Sequence, residues 1–228
     1  IERSVEQFSR KLRQAQMVFL PGGFSGGDEP DGSGKFIMAF FRNEAIRNEV
    51  HHLLDDRDGL MCGICNGFQA LIKLGLVPYG RILDTDEHCP TLTFNTIARH
   101  QSKLVRVRVA SNRSPWLAQT QVGEVYTVPI SHGEGRFLAS EELIRRLAAN
   151  GQIATQYVDP QGFATDDIRY NPNGSAFAIE GITSPDGRVF GKMGHSERIG
   201  SGLYRNVDGH FDMRMFSSAV QYFKTGKD

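Results

Sequence analysis

Gly59-Leu60-Met61-Cys62-Gly63-Ile64-Cys65-Asn66-Gly67-Phe68-Gln69 is the stretch from which the fold is read. Its apolar start, through Cys62, suits a strand buried on both faces. From Phe68 to Leu76 the chain runs Phe-Gln-Ala-Leu-Ile-Lys-Leu-Gly-Leu, which reads as a helix. Cys65 therefore sits on the turn between a buried strand and a helix. Gly63 and Gly67, two residues to either side, allow that turn to be sharp and strained. Such a turn pushes Cys65 Sγ out of the sheet. The helix N-terminus behind it favours negative charge, so a stabilised thiolate is expected. The plain alternative is a small inert cysteine at a strand end.

Working outward, residues 1–15 carry Ile1, Val5, Phe8 and Leu12 at helical spacing. Met17-Val18-Phe19-Leu20 is a second apolar run, expected as a parallel strand ending at Pro21-Gly22-Gly23. A polar loop, 24–34, precedes a helix expected from Phe36 to about Leu54. The glycines of that loop lack a G-K-[ST] ending, and Asp28, Glu29 and Asp31 would repel phosphate, so a phosphate loop is rejected. Instead, Gly22 and Gly23 expose backbone N–H groups at the end of the strand next to the one ending at Cys65. They could share its crevice as an oxyanion hole.

Val77-Pro78-Tyr79-Gly80 stops the elbow helix. Alternation over 91–110 and the run 122–130 predict antiparallel strands with one exposed face. Ser131-His132-Gly133-Glu134-Gly135 reads as a Gly-rich loop. A helix over 141–150, strands over 153–158 and 176–182, a turn at Pro185-Asp186-Gly187, a strand over 189–194 and a helix over 211–225 complete the chain. The expected class is α/β: a doubly wound, flavodoxin-like, mostly parallel sheet with an antiparallel β extension, in one domain over 1–228.

The 228 residues balance 26 acids against 26 bases, which leaves no electrostatic footprint for nucleic acid or an acidic membrane. No apolar span approaches the ~18 residues that cross a bilayer. Cys62, Cys65 and Cys89 make neither a disulfide framework nor a zinc spacing, and a reducing cytoplasm suits them. Cys62-x-x-Cys65 has a redox spacing, but Cys62 should point inward from the strand.

A cysteine nucleophile needs a base. Of seven histidines, His195 follows an apolar strand with Glu197 two residues on. In extended chain, i and i+2 share a face roughly 7 Å apart, so the carboxylate could orient the imidazole. His132 is the rival, with Glu134 at the same spacing.

Pro21-Gly22-Gly23, Gly63-Ile64-Cys65-Asn66-Gly67-Phe68-Gln69 and His195-x-Glu197 together resemble the class I (triad) glutamine amidotransferases. Gly22-Gly23-Phe24-Ser25-x-Gly27-Asp28, Pro129-Ile130-Ser131-His132-Gly133-Glu134-Gly135 and Gly194-His195-x-Glu197-Arg198 are similar to the glutaminase domains of phosphoribosylformylglycinamidine synthases, over essentially the whole chain. The resemblance implies that Cys65 attacks the glutamine amide, His195 shuttles protons and Glu197 orients it. It also implies an oxyanion hole of N–H groups near Gly22 or Gly23 and Asn66. Gln69 would lie near substrate, and His132 and Glu134 in a glutamine-site or domain-contact loop. Asn95 and Arg99 match a segment without an assigned role. No cofactor is implied for this chain. The implied partner is a synthetase domain or subunit that uses ATP and Mg²⁺ to amidate formylglycinamide ribonucleotide. Ser196 stands where the family commonly has Pro. The family also begins about one strand and one helix earlier, so a chain truncated at its amino end and lacking the first strand is expected. Two other readings stay open: a non-catalytic fragment or docking subunit, and another cysteine hydrolase of the same fold.

Overall fold

The computed structural model describes residues 2–23 and 34–225. The polar glycine loop expected over 24–34 therefore lies almost wholly outside the described residues. An amphipathic helix, α1 (Glu2–Gln14), leads into β1 (Met17–Leu20). The helix expected over 36–54 is broken. It forms α2 (Lys35–Phe41), α3 (Glu44–His51) and a π turn (His52–Asp56). The break has a local cause: Asn43 caps α3, its side chain accepting from the Ala45 N–H.

The elbow follows as read. β2 (Leu60–Ile64) is buried at all five positions, and α4 (Asn66–Leu74) starts immediately after Cys65. Gly67 is required by close approach, since a Cβ there would lie 2.1 Å from the Leu20 carbonyl oxygen. That absence lets α4 settle onto the end of β1. A single turn, α5 (Leu76–Tyr79), ends the run.

β3 (Thr91–Phe94) and β6 (Glu134–Leu138) form a separate antiparallel ribbon. The other strands are β4 (Gln101–Val109), β5 (Val125–His132), β7 (Ile153–Tyr157), β8 (Ile179–Thr183) and β9 (Val189–Lys192). The seven-stranded sheet runs β1-β2-β9-β8-β7-β4-β5. β1, β2 and β9 are parallel, and the remaining four pairings are antiparallel. The α/β sheet with an antiparallel extension is thus present, with the extension forming more than half of it. Helix α6 (Glu141–Ala149) is capped by Ser140, and α7 (Met215–Thr225) closes the chain. Two expected elements start late. Residues 176–178 form a 3₁₀ turn ahead of β8, and the final helix begins at Met215 rather than 211.

The topology places three strand ends together. β1 and β2 are in register from Met17↔Leu60 to Leu20↔Gly63, and β2 and β9 from Met61↔Val189 to Ile64↔Lys192. Parallel strands deliver their carboxyl ends to one rim. There Gly22, Cys65 and His195 meet. Among the described residues no helix is long and apolar enough to cross a membrane.

Candidate active site

Cys65 occupies the elbow with φ 53° and ψ −110°, a conformation that a non-glycine residue adopts only under strain. Its backbone is held on both sides: its N–H donates to the Lys192 carbonyl (2.9 Å), and its carbonyl accepts from the Gln69 N–H (3.0 Å). The residue is 5% exposed. Burial pushes its thiol up to about 11, against the lowering effect of hydrogen bonds from the Asn66 and Gly23 N–H groups and of Arg198. The expected thiolate stabilisation is thus present but outweighed. One lowering N–H comes from the first residue of α4 and one from the loop after β1, and desolvation exceeds both. In the structure Sγ lies 3.9 Å from the Ser131 carbonyl, to which it donates.

His195 is 1% exposed, on the turn after β9, with its N–H on the Pro129 carbonyl (2.9 Å). Its Nδ1 lies 2.7 Å from Glu197 Oε1. That bond assigns the proton to Nδ1 and leaves Nε2 as a lone pair; Nε2 has no partner among the described residues. Burial alone would raise the Glu197 carboxyl, but the bond and charge interaction with His195 bring it below its ordinary value. Gly22 lies against both the His195 ring and the Cys65 side chain. A Cβ on Gly22 would stand 2.5 Å from His195 Cε1 and 3.1 Å from Cys65 Cβ. The imidazole and the cysteine side chain therefore flank one point above Gly22.

The two candidate histidines have different surroundings. His132 is the last residue of β5 rather than part of a loose loop, and it is 3% exposed. Its Nε2 lies 2.9 Å from Asn173 Oδ1. The Asn173 amide nitrogen donates to the Gly135 carbonyl and the Tyr157 hydroxyl, which fixes Oδ1 as the acceptor facing His132. His132 thus carries its proton on Nε2. Burial lowers it to about 4, so it is neutral at physiological pH. Gln69 is buried on α4 and donates its amide to the Glu134 carbonyl, tying the elbow helix to β6. Asn95 staples the same turn. Its Nδ2 donates to the carbonyls of His132 and Arg99, and its Oδ1 accepts from the Gly135 N–H. Of Arg99, the carbonyl is what this staple uses.

Cys62 is fully buried in β2, and burial raises its thiol far above the ordinary range, as suits a core residue rather than a redox partner. One feature of the site was not anticipated. Lys192 and Glu180, both 0% exposed, form an ion pair (3.1 Å) beneath the His195 turn. Their signal is visible afterwards: a lone Lys in Val189-Phe190-Gly191-Lys192-Met193 and a lone Glu in Ala178-Ile179-Glu180-Gly181-Ile182 are opposite charges in two otherwise apolar strands.

Together, an elbow thiol, an imidazole oriented by a carboxylate, and two N–H groups on the sulfur suit acyl transfer from a carbonyl substrate. A family model for the CobB/CobQ-like glutamine amidotransferase domain matches residues 2–223. Phosphoribosylformylglycinamidine synthase subunit PurQ of Salinibacter ruber is 37% identical over 198 residues, covering 87% of this chain and 76% of that protein. The PurQ subunit of Symbiobacterium thermophilum is 34% identical over 219 residues, covering 96% and 83%. Among solved structures, that of PurLQS from Thermotoga maritima superposes with a TM-score of 0.67 at 28% identity, over 91% of this chain and 80% of that one. Sequence and overall structure thus agree, and the chain belongs to the CobB/CobQ-like glutamine amidotransferase domain family.

Proposed function

We propose that this chain is the glutaminase component of a phosphoribosylformylglycinamidine synthase in purine biosynthesis. In that role it hydrolyses glutamine and passes ammonia to an ATP- and Mg²⁺-dependent synthetase partner, which amidates formylglycinamide ribonucleotide. Its place would be the cytoplasm, consistent with three unpaired cysteines. The observation that carries the reading is the convergence of Cys65 and the Glu197-oriented His195 on one point above Gly22.

The sulfur turns from the Ser131 carbonyl toward His195 Nε2, which takes the thiol proton as Sγ bonds to the amide carbon of glutamine. The carbonyl oxygen becomes an oxyanion facing the Gly23 and Asn66 N–H groups, the same groups that lower the thiol against burial. The resulting imidazolium is stabilised by Glu197 and returns its proton to the departing nitrogen. The C–N bond breaks, ammonia leaves, and a γ-glutamyl thioester remains. His195 then takes a proton from water as it attacks, and collapse releases glutamate and the free thiol. Gln69 and Glu134, joined across α4 and β6, and His132 at the end of β5 would border the glutamine beside this centre. Burial holds the Cys65 thiol up at about 11, so slow turnover without the synthetase is expected.

The test is glutamate release by the purified chain, alone and with its synthetase. Wild type turns over slowly and accelerates with the partner, and a glutamine-analogue electrophile labels Cys65 stoichiometrically. A Cys65→Ser protein that hydrolyses glutamine as well as wild type would end the proposal.

A further inference from the structure

Resting on the glutaminase reading, we infer that the buried Lys192–Glu180 pair is a positioning device that sets His195 against Cys65. Lys192 Nζ donates to the Gly194 carbonyl (2.9 Å) and to Ser196 Oγ (2.8 Å), the residues on either side of His195. Glu180 Oε1 accepts from the Gly194 N–H (2.6 Å) and faces Nζ at 3.1 Å, while Oε2 accepts from Thr155 Oγ1 (2.5 Å). Ser196 Oγ in turn donates to the Met213 sulfur (3.0 Å). The turn is thus gripped from below through both neighbours of the histidine. The same lysine also reaches the nucleophile, since its backbone carbonyl receives the Cys65 N–H. One residue holds the base by its side chain and the thiol by its main chain.

Packing alone does not account for the pair. Burying two ions carries a large desolvation cost, and apolar residues of similar volume commonly give equal or better stability. The cradle is also built to fit. A Cβ on Gly194 would lie 2.6 Å from Val128 Cγ2 and 2.9 Å from Glu180 Oε1, so the turn closes tightly around the carboxylate. A fully satisfied buried polar cluster specifies one geometry where apolar contacts would tolerate several. The base–thiol relation requires that one geometry, because errors near 1 Å in a reacting pair can cost about a hundredfold in rate.

The experiment compares wild type with the double variant K192M/E180Q, which removes both charges and leaves no unpaired ion. kcat is expressed per Cys65 titrated with a glutamine-analogue electrophile, so that misfolded protein does not count. kcat should fall at least about tenfold with KM changed less than about twofold. A role in stability alone would lower the titratable fraction and leave kcat per site intact. A second readout does not depend on activity: the low-field NMR signal of the His195 Nδ1–H, assigned by its loss in Glu197→Gln, should weaken or disappear in the double variant. Unchanged kcat per site, or an unchanged low-field proton, overturns the inference. If wild type hydrolyses no glutamine, the glutaminase reading fails while the NMR arm still decides the positioning role. Should the double variant not fold, Ser196→Ala removes a single grip on the turn. It is expected to lower kcat severalfold at constant KM, and wild-type kcat there overturns the inference.

Discussion

Substituting Gly22 by alanine places a methyl carbon 2.5 Å from His195 Cε1 and 3.1 Å from Cys65 Cβ. Carbon atoms rest at about 3.5–4.0 Å, so the ring would be overlapped by roughly 1 Å. The ring cannot retreat freely. It is 1% exposed, its Nδ1 is committed to Glu197, and its backbone is committed to Pro129. Overpacking of this kind costs about 1–3 kcal/mol of stability. A displacement near 1 Å of the base should cost about a hundredfold in kcat. The backbone is not at issue, because Gly22 does not occupy the left-handed region. Its neighbour supplies the contrast: Gly23 has φ +132°, and a Cβ there meets nothing within 4 Å among the described residues. Gly23→Ala should therefore act through backbone strain, lowering Tm and shifting the Gly23 N–H proposed for the oxyanion without crowding the imidazole. The assay is glutamate release per titrated Cys65, paired with thermal denaturation. Gly22→Ala within threefold of wild-type kcat, at normal titratable content, would refute the placement of His195 over Gly22.

Three further outcomes follow from the ionisation of the site. His132 is held neutral down to about pH 4, so the unfolded chain binds its proton first as pH falls below ~6.5. Stability is therefore lost on acidification through that window, by roughly 2 kcal/mol between pH 7 and pH 5. His132→Gln should flatten this slope in urea denaturation, and an unchanged slope would contradict it. Glu197 is held below its ordinary value, so the stability it contributes is full above the unfolded carboxylate range near ~4.3 and lost as pH falls through its lower folded value. Glu197→Gln should remove that low-pH portion of the Tm profile, below the His132 window. With the Cys65 thiol at about 11, its thiolate fraction at pH 8 is about one in a thousand. Iodoacetamide should then modify half-buried Cys89 before Cys65, with the Cys65 rate rising steeply toward pH 11 by peptide mass analysis. Fast labelling of Cys65 at pH 8 would show that desolvation does not govern the resting thiol.

What was legible in the sequence was local. The apolar runs at 17–20 and 60–64, the glycines flanking Cys65 and the i, i+2 spacing of His195 and Glu197 each depend on residues a few positions apart. Periodicity and turn chemistry determine such features. The helix break at Asn43 was local too, and the capping residue was a better guide there than the continuing apolar pattern. Strand partners were less legible. Nothing in the alternation over 91–110 says that Thr91–Phe94 leaves the main sheet to pair with Glu134–Leu138. Pairing is chosen by which edges the folded chain brings together.

The sequence by itself therefore determined an α/β chain with a strained thiol elbow and two histidines eligible to serve it. Only the tertiary structure sets the two apart. It set His195 above Gly22 beside Cys65, and it bound the His132 ring to Asn173. It also reversed the expected balance at the thiol, because a helix N-terminus is written in the sequence and the depth of burial is not. For the same reason it joined Lys192 to Glu180. Two lone charges in separate strands become a pair only when antiparallel β8 and β9 set Lys192 opposite Gly181, next to Glu180, in a medium where neither charge tolerates being alone.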